Sequence, residues 1–298
     1  MKDFLLERLQ KIRAFIKEYG KVTFVFALII AFSLSFYFLS RSSTSSSLEV
    51  TFLDIGQGDA ILVKTPSGKE MLIDGGPTNR ILEELGKHIS YFDHTLDVIV
   101  ATHPDADHVT GLIPVLTKYE VATIITSGMK SETGVFKTLD EKINAERADL
   151  HEGRKGDEID FGDGVVAHIL WPNGRSFNDT NDASVSMVLT YGEHSFLLTG
   201  DLPQVYEPRL IGDVLPHQVT VYKAGHHGSK TSSSELLLSY IHPEYAVISA
   251  GKNNRYGHPH QETLDRLHTY AKEILSTVDR GGITFVSNGT MIDLETEK

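Results

Sequence analysis

The chain reads as an α/β protein, with sheets covered by helices, preceded by a single transmembrane helix. Three observations predict this. Val22 to Ser40 is an uncharged run of 19 residues. From Leu48 onward, short apolar runs of strand length alternate with segments of helical spacing. Acids and imidazoles stand repeatedly at the ends of those apolar runs. With 298 residues the length suits one large domain or two small ones, and a 40% hydrophobic content supports a packed core.

The first segment, 1–21, is basic: six Lys and Arg against three acids. Within Phe4–Ile16, Leu5, Leu9, Ile12 and Ile16 recur at helical spacing, which suits a helix lying on a lipid surface. Residues 22–40 follow, spanning roughly 28 Å as a helix, close to the thickness of a hydrocarbon core. The basic segment before the span, against the lone Arg41 after it, favours a cytoplasmic amino terminus and an extracellular remainder. A cleaved signal peptide is the competing reading; the length of the run and the lack of a small-x-small site count against it. Residues 41–47 are a Ser-rich linker.

Residues 48–298 then form the outer domain. Strands are expected at Leu48–Leu53, Ala60–Thr65 and Glu70–Ile73, the last two joined by a Pro66–Lys69 turn. Leu96–Ala101 is apolar throughout, as a strand buried on both faces would be. Further strands fall at Val121–Thr126, Val165–Leu170, Ser184–Thr190, Ser195–Thr199, Val219–Lys223 and Tyr245–Ser249. Ile274–Thr277, Ile283–Ser287 and Met291–Leu294 close the chain. Helices are expected at Gly111–Lys118, Val135–Ala148, Glu235–Tyr240 and Gln261–Tyr270.

Charge and composition narrow the chemistry. The net charge is −12, and beyond residue 21 the chain holds 22 bases against 37 acids. Such a field repels polyanions, so a phosphodiester substrate would need local positive charge or metal ions. There is no cysteine, which excludes disulfides, zinc ribbons and thiol catalysis. The 14 histidines all lie at or beyond residue 88.

The sharpest feature follows the Leu96–Ala101 strand: Thr102-His103-Pro104-Asp105-Ala106-Asp107-His108. Four side chains able to bind metal lie within six residues. Asp201 stands at the end of the Phe196–Leu198 run, and His226-His227 follow another apolar strand. Tyr256-Gly257-His258-Pro259-His260 comes after a third. Such a rim of acids and imidazoles is what a metal-dependent site needs. Ser229, Lys230, Thr231 and Ser232 follow the His pair and could hold phosphate near a helix start, or simply cap that helix. His258 is a candidate general acid or phosphate contact, with His260 a weaker one. Asp74 is placed to orient a ligand His from behind. Asp54 and Asp59 read as fixing the Gly-rich turn. Asn181 and Ser184 could touch a metal water or complete a buried polar network.

Taken in order, these motifs resemble the metallo-β-lactamase fold. More narrowly, they resemble the hydrolase domain of ComEC-type DNA-uptake (competence) proteins and their free-standing relatives. The matching stretches are Phe52–Ala60, Ile73–Gly76, the His103 motif, Asn181–Val185, Leu197–Asp201, His226–Ser233 and Gly257–His260. They cover nearly all of 48–298. The resemblance implies a four-layer αββα sandwich with two divalent metal ions at one edge. It assigns His103 and Asp105 to one ion. Asp107, His108 and one of His226 or His227 (His226 preferred) serve the other, and Asp201 bridges. Two departures matter: Asp105 stands where the fold usually has His, and the usual third-motif His has no counterpart near Asn181–Ser184. The resulting oxygen-rich set favours Mn2+, with Zn2+ next. The channel helices of the ComEC type have no counterpart here, so DNA transport is not expected of this chain.

The function expected is a membrane-anchored, extracellular phosphodiesterase or nuclease, with a metal-bound hydroxide as nucleophile and Asp107 and His258 at the catalytic centre. Its partners would be a phosphodiester, DNA or RNA among the candidates, and a lipid bilayer; no protein partner is inferred. The alternatives are a phosphorylcholine or teichoic-acid type esterase or a lactonase of the same fold, and a non-catalytic metal-binding surface protein.

Overall fold

A computed structural model describes residues 2–41, 47–174, 176–212 and 214–298; within the first helix the side chains of 2, 3, 5, 9 and 36–41 lie outside the described set. The chain divides into two units, Met1–Thr44 and Ser45–Lys298.

The first unit is one helix, α1 (Lys2–Arg41). Its apolar residues are exposed, among them Phe24, Phe26, Ile30 and Phe32. Ile12 and Ile16 are exposed, as are Leu6 and Phe15. Leu5 and Leu9 lie outside the described side chains. Among the described residues no helix is long and apolar enough to cross a membrane. The expected span of 22–40 is therefore not met by them; it extends into 36–40, whose side chains are not described. The Ser-rich linker lies almost wholly outside the described residues.

The second unit is built on two sheets. One contains β1 (Leu48–Phe52), β2 (Ile61–Lys64), β3 (Glu70–Ile73), β4 (Thr95–Ala101), β5 (Glu120–Thr126) and β6 (Asp149–Glu152), with β14 (Ile283–Ser287) and β15 (Ile292–Thr296). Their order is β15-β14-β1-β2-β3-β4-β5-β6. The other sheet comprises β7 (Glu158–Asp160), β8 (Val165–Trp171), β9 (Ser186–Tyr191), β10 (His194–Leu198), β11 (Val221–Lys223), β12 (Tyr245–Ile248) and β13 (Glu273–Ser276). Their order is β13-β12-β11-β10-β9-β8-β7.

Side-chain alternation makes the layers. Ile61 and Val63 of β2, Met71 and Ile73 of β3, and Val98 and Val100 of β4 enter a core shared with Met187, Leu189, Phe196 and Leu198 of the second sheet. The intervening Leu62, Leu72 and Ile99 point the other way, into a core with α2 (Ile81–His88), α4 (Leu112–Lys118) and α5 (Gly134–Ala145). On the far side, Val188 and Leu197 pack with α6 (Glu235–Ile241) and α7 (Gln261–Tyr270). The arrangement is helix, sheet, sheet, helix, as expected. Two single-turn helices, α3 (Ala106–Val109) and α8 (Thr277–Arg280), complete the set.

Strands β3 to β6 run parallel in one sheet, and β10 to β13 run parallel in the other. The carboxyl ends of parallel strands are where open sheets place their ligands. Here those ends carry Asp74 (after β3), Thr102 and His103 (after β4), Asp201 (after β10) and His226-His227 (after β11).

Candidate metal centre

Asp201 is the hub. One of its oxygens, Oδ2, lies 3.3 Å from His108 Nε2, 3.5 Å from both His226 Nε2 and His227 Nε2, and 3.9 Å from His103 Nε2. Asp107 Oδ2 lies 3.4 Å from His227 Nε2. Asp105 lies 3.8 Å from His103 Nε2. Asp59, His108, Asp201 and His227, all buried, each bring one metal-competent atom within 4.8 Å of the others.

The imidazoles are held from behind. Asp74 accepts from the backbone N–H and the hydroxyl of Thr102 at 2.8 and 2.7 Å, and faces His108 Nδ1 at 2.7 Å. With its proton committed to Asp74, the Thr102 hydroxyl accepts from His103 Nδ1 at 3.0 Å. His227 Nδ1 donates to the Ser249 carbonyl at 3.1 Å and lies 3.2 Å from Asp59. Each ring thus commits Nδ1 to a backing partner and turns Nε2 toward the centre. These are the backing partners that metal-ligand histidines require.

The fit to metal ions shows in what is left over. His103 Nε2, His108 Nε2, His227 Nε2 and Asp201 Oδ1 are buried without a hydrogen-bond partner. Buried polar atoms are normally paired, and these unpartnered donor atoms around Asp201 suit the coordination of cations. The residues that would hold ions are His103, Asp105 and Asp201 on one side, and Asp107, His108, His227 and Asp201 on the other.

Electrostatics follow the geometry. Burial would raise Asp107, but the His227 hydrogen bond and the nearby His108 hold it down at about 2. Burial likewise opposes ionisation of Asp201, and His227 and His108 overcome it, leaving the carboxylate well below its usual range. Burial alone would lower His227, but Asp201 and Asp59 raise it to about 9. His108 is pushed well above its ordinary value by Asp201 and Asp74, again against burial. His103, buried beside His108, falls to about 4. Its ring centroid is 4.1 Å from that of His108, so only one of the two carries charge. Burial raises Asp105, against the Thr180 hydroxyl that donates to it at 2.7 Å.

Not every expected residue faces the centre in the expected way. Of the His pair, the buried His227 belongs to the tight cluster, while His226 is more exposed and touches Asp201 from the rim. The geometry therefore favours His227 over the His226 preferred from sequence. Both residues have left-handed backbone, φ 55° and 49°, which turns the two rings toward the same carboxylate. Ser184 is fully buried, and its hydroxyl accepts from the Asp201 N–H at 3.3 Å. It shapes the Asp201 turn and has no exposed surface to offer a substrate. Asn181 Oδ1 is buried and unpartnered, in a 3-10 turn next to Thr180.

The N–H groups at the helix start after the His pair are taken by a protein carboxylate. Glu207 accepts from the N–H groups of Ser233 and Ser234 at 2.6 and 2.7 Å, and Ser234 caps α6. The buried Ser232 donates to the Leu202 carbonyl, and the Ser229 hydroxyl pairs with that of Thr231. Only Lys230 and Thr231 of the four are exposed. His258 stands at the rim, its ring 5.4 Å from His226 and 6.3 Å from His227. Burial and those two neighbours lower it to about 4, so it is neutral at ordinary pH. His260 accepts from the Lys230 N–H at 3.2 Å, which gives it a structural task.

Asp59 and Lys223 were not anticipated as partners. Lys223 is fully buried, 2.9 Å from Asp59 Oδ1, and also donates to the Ala224 carbonyl. Asp59 sits within the Phe52–Ala60 motif, and a lysine ending an apolar strand just before the His pair was the available signal. Asp54, by contrast, pairs at the surface with Arg80 and Lys298. Gly58 lets this loop press on the metal motif: at φ 126°, a Cβ there would lie 2.0 Å from the Asp107 carbonyl oxygen.

Comparison with known proteins agrees with this architecture. Residues 53–252 match the metallo-beta-lactamase superfamily. The chain is 34% identical over 261 residues to ComE operon protein 3 of Bacillus subtilis (strain 168), covering 81% of this chain and 33% of that protein. It is 31% identical over 252 residues to Recombination protein 2 of Haemophilus influenzae, covering 82% and 29%. It is 30% identical over 240 residues to Competence protein ComA of Neisseria gonorrhoeae, covering 79% and 32%. The chain thus spans about a third of the length of these curated relatives. Among solved structures, the metallo-beta-lactamase fold protein YhfI of Bacillus subtilis superposes with a TM-score of 0.55 at 11% identity, over 81% of this chain and all of that one. With its two sheets, its rim of histidines and carboxylates and this kinship, the chain belongs to the metallo-beta-lactamase superfamily, with relatives among competence proteins.

Proposed function

We propose that this protein is a metal-dependent phosphodiesterase that cleaves nucleic acid strands. One observation carries the reading: three imidazoles, each backed at Nδ1, turn unpartnered Nε2 atoms onto Asp201. Bound divalent ions would supply an activated water and offset charge building on a phosphoryl group. That compensation matters in a chain of net charge −12, which has little else to attract a polyanion. The oxygen-rich donors Asp105, Asp107 and Asp201 favour manganese over zinc. His258, neutral and at the rim, is placed to donate a hydrogen bond to a leaving oxygen or accept a proton there. Relatives named for competence and recombination support nucleic acid over other phosphodiesters.

The test is cleavage by the full-length protein in detergent. Single- and double-stranded DNA and RNA are offered with manganese, magnesium, zinc or chelator, beside an Asp107→Ala control. Metal-dependent cleavage lost in the control is expected. A protein that binds metal yet cuts no strand under any condition would sink the reading.

Membrane attachment through 22–40, with the hydrolase domain outside the cell, is part of the proposal and rests on the uncharged run and the basic segment before it. Release of the protein by alkaline carbonate washing, or protection of the domain from protease on intact cells, would refute it.

A further inference from the structure

Beside the metal centre the surface opens into a pocket of about 390 Å³, lined in part by Gln57, Pro77, Ala106, Asp107, Arg255 and Tyr256. Asp107 belongs to the pocket and to the metal centre alike, so an occupant sits next to whatever bond is cut there.

The pocket is built around an aromatic platform. Tyr256 is 45% exposed, and its ring stacks on His258 at 5.6 Å and 20°. His258 in turn meets the rim residue His226 edge-on at 5.4 Å, so aromatic contacts run from the pocket to the rim of the metal centre. The Arg255 guanidinium lies 4.8 Å from the Tyr256 ring and donates to its hydroxyl at 2.6 Å. That fixes a cation at the mouth of an acidic domain. The loop is pre-formed by Asn254, whose amide donates to the carbonyls of Gly251 and His258 and accepts from the N–H groups of Tyr256 and His258. Gln57 accepts from the Gly251 N–H, which leaves its own amide nitrogen buried without a partner.

A flat ring with an anion attached matches these features. A purine or pyrimidine stacks on a tyrosine face, and the phosphate next to it meets the arginine. A choline headgroup fits poorly, because its cation would lie beside the like-charged Arg255 guanidinium. An aliphatic acyl chain would leave the guanidinium unpaired.

We propose that this pocket is a nucleobase subsite: Tyr256 stacks the base that flanks the scissile phosphodiester, and Arg255 holds a neighbouring phosphate. The subsite rests on the phosphodiester reading above and refines it. A base must leave its own stack to enter, so unpaired strands are the preferred substrate.

The experiment compares two labelled six-residue strands with cleavage-resistant phosphorothioate links, one of thymidine and one wholly abasic. Each is titrated into full-length, manganese-loaded protein in detergent. The base-containing strand should bind about tenfold tighter than the abasic one. That ratio should fall to near one in Tyr256→Ala and persist in Tyr256→Phe, while Arg255→Gln weakens both strands alike. Metal content and melting temperature report whether each variant folds. A ratio near one in the unmodified protein, or an unaltered ratio in a folded Tyr256→Ala, overturns the subsite. Cleavage of an ordinary thymidine strand is followed in parallel. Cleavage with a ratio of one removes the subsite and keeps the hydrolase; a Tyr256-dependent ratio without cleavage does the reverse.

Discussion

Asp74 shows how much of the centre depends on a residue that cannot itself reach a metal ion from its place. It bonds Thr102 twice and His108 once, and through Thr102 it sets His103 as well. Asp74→Asn should keep the fold and lower metal affinity by about 10- to 100-fold, because an amide cannot accept from both partners. Titration calorimetry with manganese measures this; an unchanged affinity would remove Asp74 from the ligand machinery. The histidines also dictate a pH response. His227 is held at about 9 and His108 above its ordinary value, so an ion must displace their protons to bind. Affinity should therefore rise with pH between about 6.5 and 9, by up to about tenfold per unit for each proton released. Calorimetry in two buffers of different ionisation enthalpy counts those protons. Most of these ligands were legible in the sequence, because His103 to His108 and Asp201 stand at the ends of apolar strands. The choice between His226 and His227 was not, since adjacent residues differ only in the backbone angles that aim them. The pairing of Asp59 with Lys223 escaped because the strand-ending lysine marks only one partner, and nothing local links it to an acid so distant in the chain.

Elements were legible where their faces alternate or their interiors are wholly apolar. β3, α7 and β14 fall where the pattern placed them, to the residue. The helix expected over Val135–Ala148 stops at Ala145 instead, where Glu146 turns extended and β6 begins three residues later. β6 is exposed at all four residues and β7 nearly so, and such polar edge strands carry no period-two signal. α2 was missed because it is two turns long, lacks a side-chain cap and has Gly86 inside it. The loop between β1 and β2 owes its position to one glycine. Gly58→Ala would drive a Cβ into the Asp107 carbonyl from a backbone conformation alanine avoids. The expected result is a loss of about 1–3 kcal/mol in stability together with weaker metal binding, read by chemical denaturation and calorimetry. Normal metal binding in a folded Gly58→Ala protein would show that the loop does not position Asp107.

For the molecule as a whole, metal should stabilise without being required for folding. Three cores and two sheets enclose the second unit, and none of them depends on the ions. Chelation should lower the melting temperature by about 5–10 °C relative to protein with metal at a hundredfold excess over Kd. The stripped protein should also be pH-sensitive. His227 has a folded value of about 9 against an ordinary 6.5. Its stabilisation is complete below about pH 6.5 and fades as pH climbs through 9. The gap between loaded and stripped protein should therefore widen over that range in a differential scanning experiment. A constant gap would mean that the His227 proton is not retained in the stripped state.

Lys223 gives this last point a wider meaning. A lysine sealed beside Asp59 joins His108 and His227 among Asp59, Asp74, Asp107 and Asp201. These basic groups offset part of the charge of the five carboxylates Asp59, Asp74, Asp105, Asp107 and Asp201 before any ion arrives. Chain folding and metal loading then become separable events in time and place. A protein made where divalent metal is scarce can assume its shape first and acquire its ions later.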